Sequence, residues 1–155
     1  MYRMVQSIEV QAASTAPPAV VLALLKDPAT WPAWSGMDAA ELATPGVDDP
    51  LGVGSVRLHV RGRTRGYDEV VELVPDRRFS YVHLRPLPVR DYRGDVELEP
   101  VGEGTRITWA VRFRPKYPGT GWVWRRGLRS MLSSMVAGLA EHAAAVALDD
   151  DAARG

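Results

Sequence analysis

The stretch Thr120–Leu148, TGWVWRRGLRSMLSSMVAGLAEHAAAVAL, decides how the rest of the chain is arranged. Read at helical spacing, Trp124, Leu128, Met131, Leu132, Met135, Leu139, His142 and Val146 share one face. Arg125, Arg126, Arg129, Ser133 and Glu141 fall elsewhere. The apolar stripe is about a hundred degrees wide on a segment of roughly seven turns, the pattern of a helix with one buried side. Gly119 and Gly121 loosen the chain ahead of it, and Thr120 stands at the N-cap position. The run Asp149-Asp150-Asp151 is expected to end the helix, so that 1–148 form the domain and 149–155 a flexible tail. The methionines in the middle of the stripe also suit the roof of a ligand cavity, because Met adapts to irregular apolar guests.

Ahead of that helix the period changes from 3.6 to 2. Met4, Ile8 and Val10 alternate with Val5, Ser7 and Glu9, predicting a first strand from about Arg3 to Ala12. Pro17-Pro18 then open a helix whose apolar face is Val20, Val21, Leu24 and Leu25. Asp27-Pro28 closes it, and 29–35 form a second short helical segment with Trp31 and Trp34. Six more strands follow between Met37 and Arg114. The first covers 38–44, and the next has Val56, Leu58 and Val60 alternating with Arg57, His59 and Arg61. Tyr67, Glu69, Val71 and Leu73 predict one inward face, and Phe79, Tyr81 and His83 the next, closed by Pro86 and Pro88. Tyr92, Gly94, Val96 and Leu98, then Ile107, Trp109, Val111 and Phe113, complete the run. Strands this evenly spaced by short turns describe an antiparallel meander. Such a sheet must cover its apolar face, and the C-terminal helix is the element long enough to do so. The expected architecture is α+β: a curved antiparallel sheet of about seven strands wrapped around one long helix. Two short helices after strand 1 plug one end, and a cavity lies in the grip.

Composition narrows the function. A chain of 155 residues with 46% apolar and 25% charged residues is expected to be one globular domain with a real core. Nineteen basic residues balance nineteen acidic ones, which argues against a nucleic-acid surface, since phosphate neutralisation needs a basic excess. Arg61, Arg63 and Arg65 are read as solvated residues on an exposed strand pair. With no cysteine, disulfides and thiolate chemistry are excluded, and three histidines at 59, 83 and 142 lack metal-ligand spacing. The N-terminus shows no charged-then-apolar leader pattern, no apolar run is expected to be long enough to span a bilayer, and a cytoplasmic address is the default expectation.

Local sequence adds a resemblance. Ser14-Thr15-Ala16-Pro17 leading through Val20 to Asp27, then Trp31-Pro32-Ala33-Trp34, resembles the opening of the polyketide cyclase/dehydrase and lipid-transport branch of the START and birch-pollen-allergen (SRPBCC) superfamily. Gly52-Val53-Gly54-Ser55-Val56-Arg57, Pro75 through Tyr81, Gly104-Thr105-Arg106 and Trp109 continue the match over roughly 5–147. The resemblance implies a helix-grip fold and a deep, largely apolar pocket for a flat hydrophobic molecule, with no tightly bound metal or redox cofactor.

Two functions stay open. One is a binding protein for a lipid, polyketide or aromatic compound. The other is a polyketide cyclase or dehydratase, which needs a base for the proton alpha to a carbonyl and donors for the enolate. His83 or Glu69 is the expected base, with Tyr81, Tyr92 or Arg57 as donors. Glu69 has a second reading as the partner of Arg57 or Arg65, and Arg57 has one as an outward residue. His142 reads as a core histidine. Trp31, Trp34, Tyr67, Trp109, Phe113, Leu128, Met131 and Met135 are the expected ligand-contacting residues, and Trp122 and Trp124, beside Arg125 and Arg126, are placed as a gate at the cavity mouth.

Overall fold

The computed structural model describes residues 5–85 and 89–155. The expected start of the first strand at Arg3 and Met4, and the closing role of Pro86 and Pro88, therefore lie outside the described residues. Strand β1 (Gln6–Ser14) leads to helix α1 (Pro18–Lys26), a 3-10 turn (Pro28–Thr30) and helix α2 (Pro32–Ser35). Six strands follow: β2 (Ala39–Thr44), β3 (Val56–Arg61), β4 (Thr64–Val74), β5 (Arg78–Arg85), β6 (Val89–Val101) and β7 (Gly104–Pro115). Helix α3 (Gly121–Arg154) closes the chain. The seven strands form one antiparallel sheet in the order β1-β7-β6-β5-β4-β3-β2. Among the described residues, only the β1–β7 pairing is non-consecutive. It joins the first strand to the last and folds the sheet around α3, the helix-grip fold.

Helix α3 lies against β1, β7, α1 and α2. Leu128, Leu132, Met135, Val136, Leu139, Ala140 and Ala143 are buried along it, largely the predicted stripe. By length and composition α3 is apolar enough to cross a bilayer, contrary to the sequence expectation; its apolar side is instead the core of the grip. Two small residues set its distance from its neighbours. A Cβ on Gly138 would stand 2.2 Å from the Trp34 carbonyl oxygen, so only glycine lets α2 and α3 approach this closely. The Ser14 hydroxyl donates to the Ala140 carbonyl oxygen at 2.7 Å, tying the end of β1 to the same turn.

Two expectations for α3 need correction. Thr120 holds the N-cap position without capping, because its hydroxyl donates to the Tyr117 carbonyl oxygen at 2.7 Å and not to the first turn of the helix. Nor does the acidic run end the helix, which continues to Arg154 through exposed residues. At the other end of the grip, Asp27 accepts a hydrogen bond from the Ala29 amide and starts the 3-10 turn that carries Trp31 and Trp34 inward.

The core divides along the sheet. On β1, β6 and β7 the inward residues are the predicted ones: Ile8, Val10, Tyr92, Val96, Leu98, Ile107, Trp109, Val111 and Phe113. On β3 and β4 the predicted faces are reversed. Arg57, His59 and Asp68 are buried, whereas Val56, Leu58, Val60, Tyr67 and Glu69 are only partly covered.

Candidate functional site

The reversed faces meet at a cavity of about 400 Å³ between α3 and β3–β6. Its roof is Trp124, Leu128, Met131, Leu132 and Met135, from successive turns of α3, and Trp31 and Met37 close one side. Its floor is polar: His59 and Arg61 from β3, Asp68 from β4, Tyr81 and His83 from β5, and Tyr92 from β6. The volume is within the usual range for small-molecule sites.

The floor is organised by one buried carboxylate. The two-residue turn at Gly62-Arg63 pairs Arg61 with Thr64, and that register sets Arg57 opposite Asp68 and His59 opposite Gly66 on the same face. Asp68 receives Arg57 Nε at 2.8 Å on Oδ1 and lies 2.6 Å from His59 Nε2 on Oδ2. Burial alone would raise the Asp68 carboxyl, but the charge of Arg57 and the hydrogen bonds from His59 and Arg57 outweigh it and bring the pKa down to about 2. The group is therefore an ionised carboxylate at neutral pH, able only to accept hydrogen bonds, so the His59 nitrogen that faces it, Nε2, bears a proton. His59 Nδ1 is buried with no hydrogen-bond partner among the described residues.

Arg57 is fully buried, with Nε and Nη1 hydrogen-bonded and Nη2 without a partner among the described residues. Its Nη1 donates to the Leu25 carbonyl oxygen at 2.8 Å, near the end of α1, where carbonyls lack helical partners and the helix dipole favours a cation. Its guanidinium carbon lies 4.8 Å from the ring centroids of both Trp31 and Phe79, between two π faces. Trp31 Nε1 donates to the same Leu25 carbonyl oxygen at 3.1 Å, and the indole ring lies 5.0 Å from His59. The WPAW segment thus braces the ion pair and also walls the cavity.

On the other side of the floor, Trp109 Nε1 donates to the Tyr81 hydroxyl at 3.1 Å, and Tyr92 adjoins Tyr81 and His83 with ring centroids 6.3 and 5.8 Å away. Tyr81 has room to lie flat because its strand partner is Gly94, where a Cβ would come within 2.3 Å of the tyrosine ring. Burial, eased by the Trp109 hydrogen bond, pushes Tyr81 up to about 12, and burial with Tyr81 beside it raises Tyr92 further from the physiological range. Both are neutral hydrogen-bonding phenols. Burial also lowers His83, against the pull of Asp68, so this imidazole is neutral at pH 7; its Nε2 is buried without a partner among the described residues.

Of the expected residues, Tyr81, Tyr92, His83, Trp31, Leu128, Met131 and Met135 come together around the cavity. Glu69 and Tyr67 do not: they lie on the opposite face of β4, where a register shift between Tyr67 and Asp68 and the inward Asp68 leave them partly exposed. Trp34, Trp109 and Phe113 are core residues behind the wall, packed too deep to line it. Arg57 is inward but screened by Trp31 and Phe79. Trp124 lines the mouth, whereas Trp122 is 68% exposed, and His142 is partly covered on the far half of α3. Sequence reading missed His59 and Asp68. The signal was present in the Gly62-Arg63 turn, which fixes a cross-strand Arg–Asp pair once residues are counted outward from it.

The family model described as polyketide cyclase / dehydrase and lipid transport matches residues 5–146. This chain belongs to that family, within the SRPBCC superfamily. Among solved structures, the protein TTHA0849 from Thermus thermophilus superposes with a TM-score of 0.71 at 20% identity, covering 91% of this chain and 99% of that one. Ara h 8.0201 gives a TM-score of 0.70 at 13% identity over 90% and 98% of the two chains. A protein from Thermobifida fusca, solved by NMR, gives 0.71 at 20% identity over 88% and 92%. At these identities the likeness is one of fold alone. No curated protein matches the chain.

Proposed function

We propose that the protein binds a hydrophobic small molecule (a lipid, polyketide or aromatic compound) between the sheet and α3. The observation that carries this reading is the cavity itself: about 400 Å³, roofed by Leu128, Met131 and Met135 and walled by Trp31. Flexible thioether and leucine side chains accept an apolar guest at small packing cost, and removing that guest from water drives binding. Native mass spectrometry of freshly purified protein, followed by organic extraction, tests it by seeking a discrete bound mass. Displacement of an apolar fluorescent dye provides the second measurement. Leu128→Trp, which fills the cavity, is expected to abolish dye binding; unchanged dye binding in that variant would remove the cavity from the argument.

A second reading, a polyketide cyclase or dehydratase, draws support from the neutral His83 beside Tyr81 and Tyr92. A neutral imidazole can take a proton alpha to a carbonyl while the phenols donate to the developing enolate. Glu69 has no part in this version, since it faces away from the cavity. His83→Ala is then expected to retain ligand and lose product formation. Retention of full turnover would exclude His83 as the base.

A further inference from the structure

We infer that Arg61 is the headgroup site of the cavity, so that the molecule bound there is an amphipathic acid, a carboxylate carried on an apolar ring or chain. The inference rests on the binding reading above and deepens it by naming the charge of the ligand.

Arg57, His59 and Arg61 are alternate residues of β3 and share its inward face. The first two are engaged by Asp68, which takes Arg57 on one oxygen and His59 on the other. Arg61 stands opposite Thr64 across the Gly62-Arg63 turn, so the strand register gives it no carboxylate. Asp38, the acid that approaches the same turn, is occupied with the Gly62 amide. Among the described residues, Arg61 forms no ion pair with an Asp or Glu. Its guanidinium is nevertheless oriented. Nη2 donates to the Ser35 carbonyl oxygen at 3.2 Å and packs on Gly36, where a Cβ would lie 3.4 Å from it. That leaves Nε and Nη1 to other acceptors. Arg61 lines the cavity and is exposed, which places it at the rim, within reach of an incoming molecule.

The charges around it select an anion. Arg61 and Asp68 are the Arg, Lys, Asp or Glu residues of the cavity wall, and Asp68 is already matched by Arg57. His59 adds no negative charge in either protonation state, and the exposed Arg63 and Arg65 on the adjoining hairpin carry the same sign as Arg61. From Arg61 inward the wall turns apolar through Met37, Trp31, Leu128, Met131 and Met135. A hydrocarbon body lies against these side chains while its charged end stays at the rim, where a carboxylate keeps part of its hydration. The guanidinium offers a planar fork of N–H donors that fits a carboxylate, and such charge-assisted hydrogen bonds are stronger than neutral ones. A cationic head meets a charge of its own sign, and a neutral head gains little from the arginine.

The probes are 2-naphthoate, 2-naphthalenemethanol and 2-naphthylmethylammonium, which share a ring system and differ in the charge of the head. Binding is measured at pH 7 by fluorescence titration, beside the neutral dye 1-aminoanthracene. A cavity without a cation prefers the alcohol, because a carboxylate loses more hydration on entry. The parent protein is expected to invert that order and to bind 2-naphthoate about tenfold more tightly than the alcohol, with the ammonium weakest. In Arg61→Met the ratio of naphthoate to alcohol affinity is expected to fall by about tenfold or more, and in Arg61→Glu the ammonium should become the preferred ion. Equal or tighter binding of the alcohol by the parent protein, or an unchanged ratio in Arg61→Met, overturns the assignment while leaving the cavity reading standing. Binding of 1-aminoanthracene without any of the three probes does the same. Failure of the dye as well overturns the cavity reading and the inference with it. Proton–nitrogen NMR of the arginine side chains gives a test that needs no variant. 2-Naphthoate should shift the Arg61 Nε–H resonance well beyond the shift caused by the alcohol. Binding of 2-naphthoate that leaves this resonance in place overturns the proposal.

Discussion

The β6–β7 wall and the β3–β4 wall are two stretches of one sheet that face the same helix, yet they are built on opposite chemistry. On β6–β7 the inward side chains are Val96, Leu98, Ile107, Trp109, Val111 and Phe113, and burial of hydrocarbon is sufficient to hold them there. On β3–β4 the inward set is Arg57, His59, Asp68 and Val70, with buried Ser55 just ahead of β3, while the apolar Val56, Leu58 and Val60 take the outer side. Alternation is equally regular in both. It reports the period of a strand, but it identifies the buried face only where the polar residues have no means of satisfying one another inside. Arg57 and Asp68 have such means, and the cavity lies over that part of the sheet, reaching the β6–β7 wall at Tyr92.

The sharpest way to break this comparison is to remove one member from each wall. Trp109→Ala is expected to cost about 3–5 kcal/mol through the lost volume, and Asp68→Ala a similar ~3–5 kcal/mol because Arg57 is left buried and unpaired. Urea unfolding measures both. The walls separate in the double exchange Arg57→Met with Asp68→Leu, which should recover most of the Asp68→Ala loss. A buried ion pair is seldom worth more than hydrocarbon of its own shape. If the double variant is as unstable as the single one, the pair is a structural element and not a functional one.

A smaller effect tests the seam between the two walls. Gly94→Ala sets a Cβ against the Tyr81 ring, and a loss of about 1–3 kcal/mol is expected, with a change in the Tyr81 and Trp109 near-ultraviolet signal. Acid should act on the polar wall first. The folded pKa of Asp68, about 2, lies below its ordinary value of 3.8, so its contribution of about 2 kcal/mol is fully present above the unfolded value and is lost as pH falls through the folded one. His83 follows the same sign: its lowered value means stability present above 6.5 that fades as pH drops through its folded pKa. Stability measured from pH 7 down to pH 2 should therefore decline, and the part of that decline below about pH 4 should be smaller in the Arg57→Met, Asp68→Leu variant. Least affected of all should be Glu69→Gln, on the outer face: within about 0.5 kcal/mol in stability, and with unchanged dye binding.

The sequence by itself determined the frame. Helical spacing from Trp124 to Val146 identified the core helix, strict alternation along 107–113 identified the strand beneath it, and the turn residues between strands dictated an antiparallel meander that must wrap that helix. These follow from local periodicity and from the need to cover apolar surface, both of which are written residue by residue. Only the tertiary structure decided the polar floor. Arg57 is inward because the Leu25 carbonyl at the end of α1, the rings of Trp31 and Phe79 and the carboxylate of Asp68 converge on it from four separate elements. Single-strand hydropathy assigns such a residue to solvent, since the free energy of burying a charge depends on partners distant in sequence. The same holds for the residues that pack behind the cavity and do not line it. Trp34, Trp109 and Phe113 are as apolar as Trp31, and which of them meets the open space is settled by where α3 stands off the sheet, a distance set by Gly138 against Trp34 and by Ser14 against Ala140.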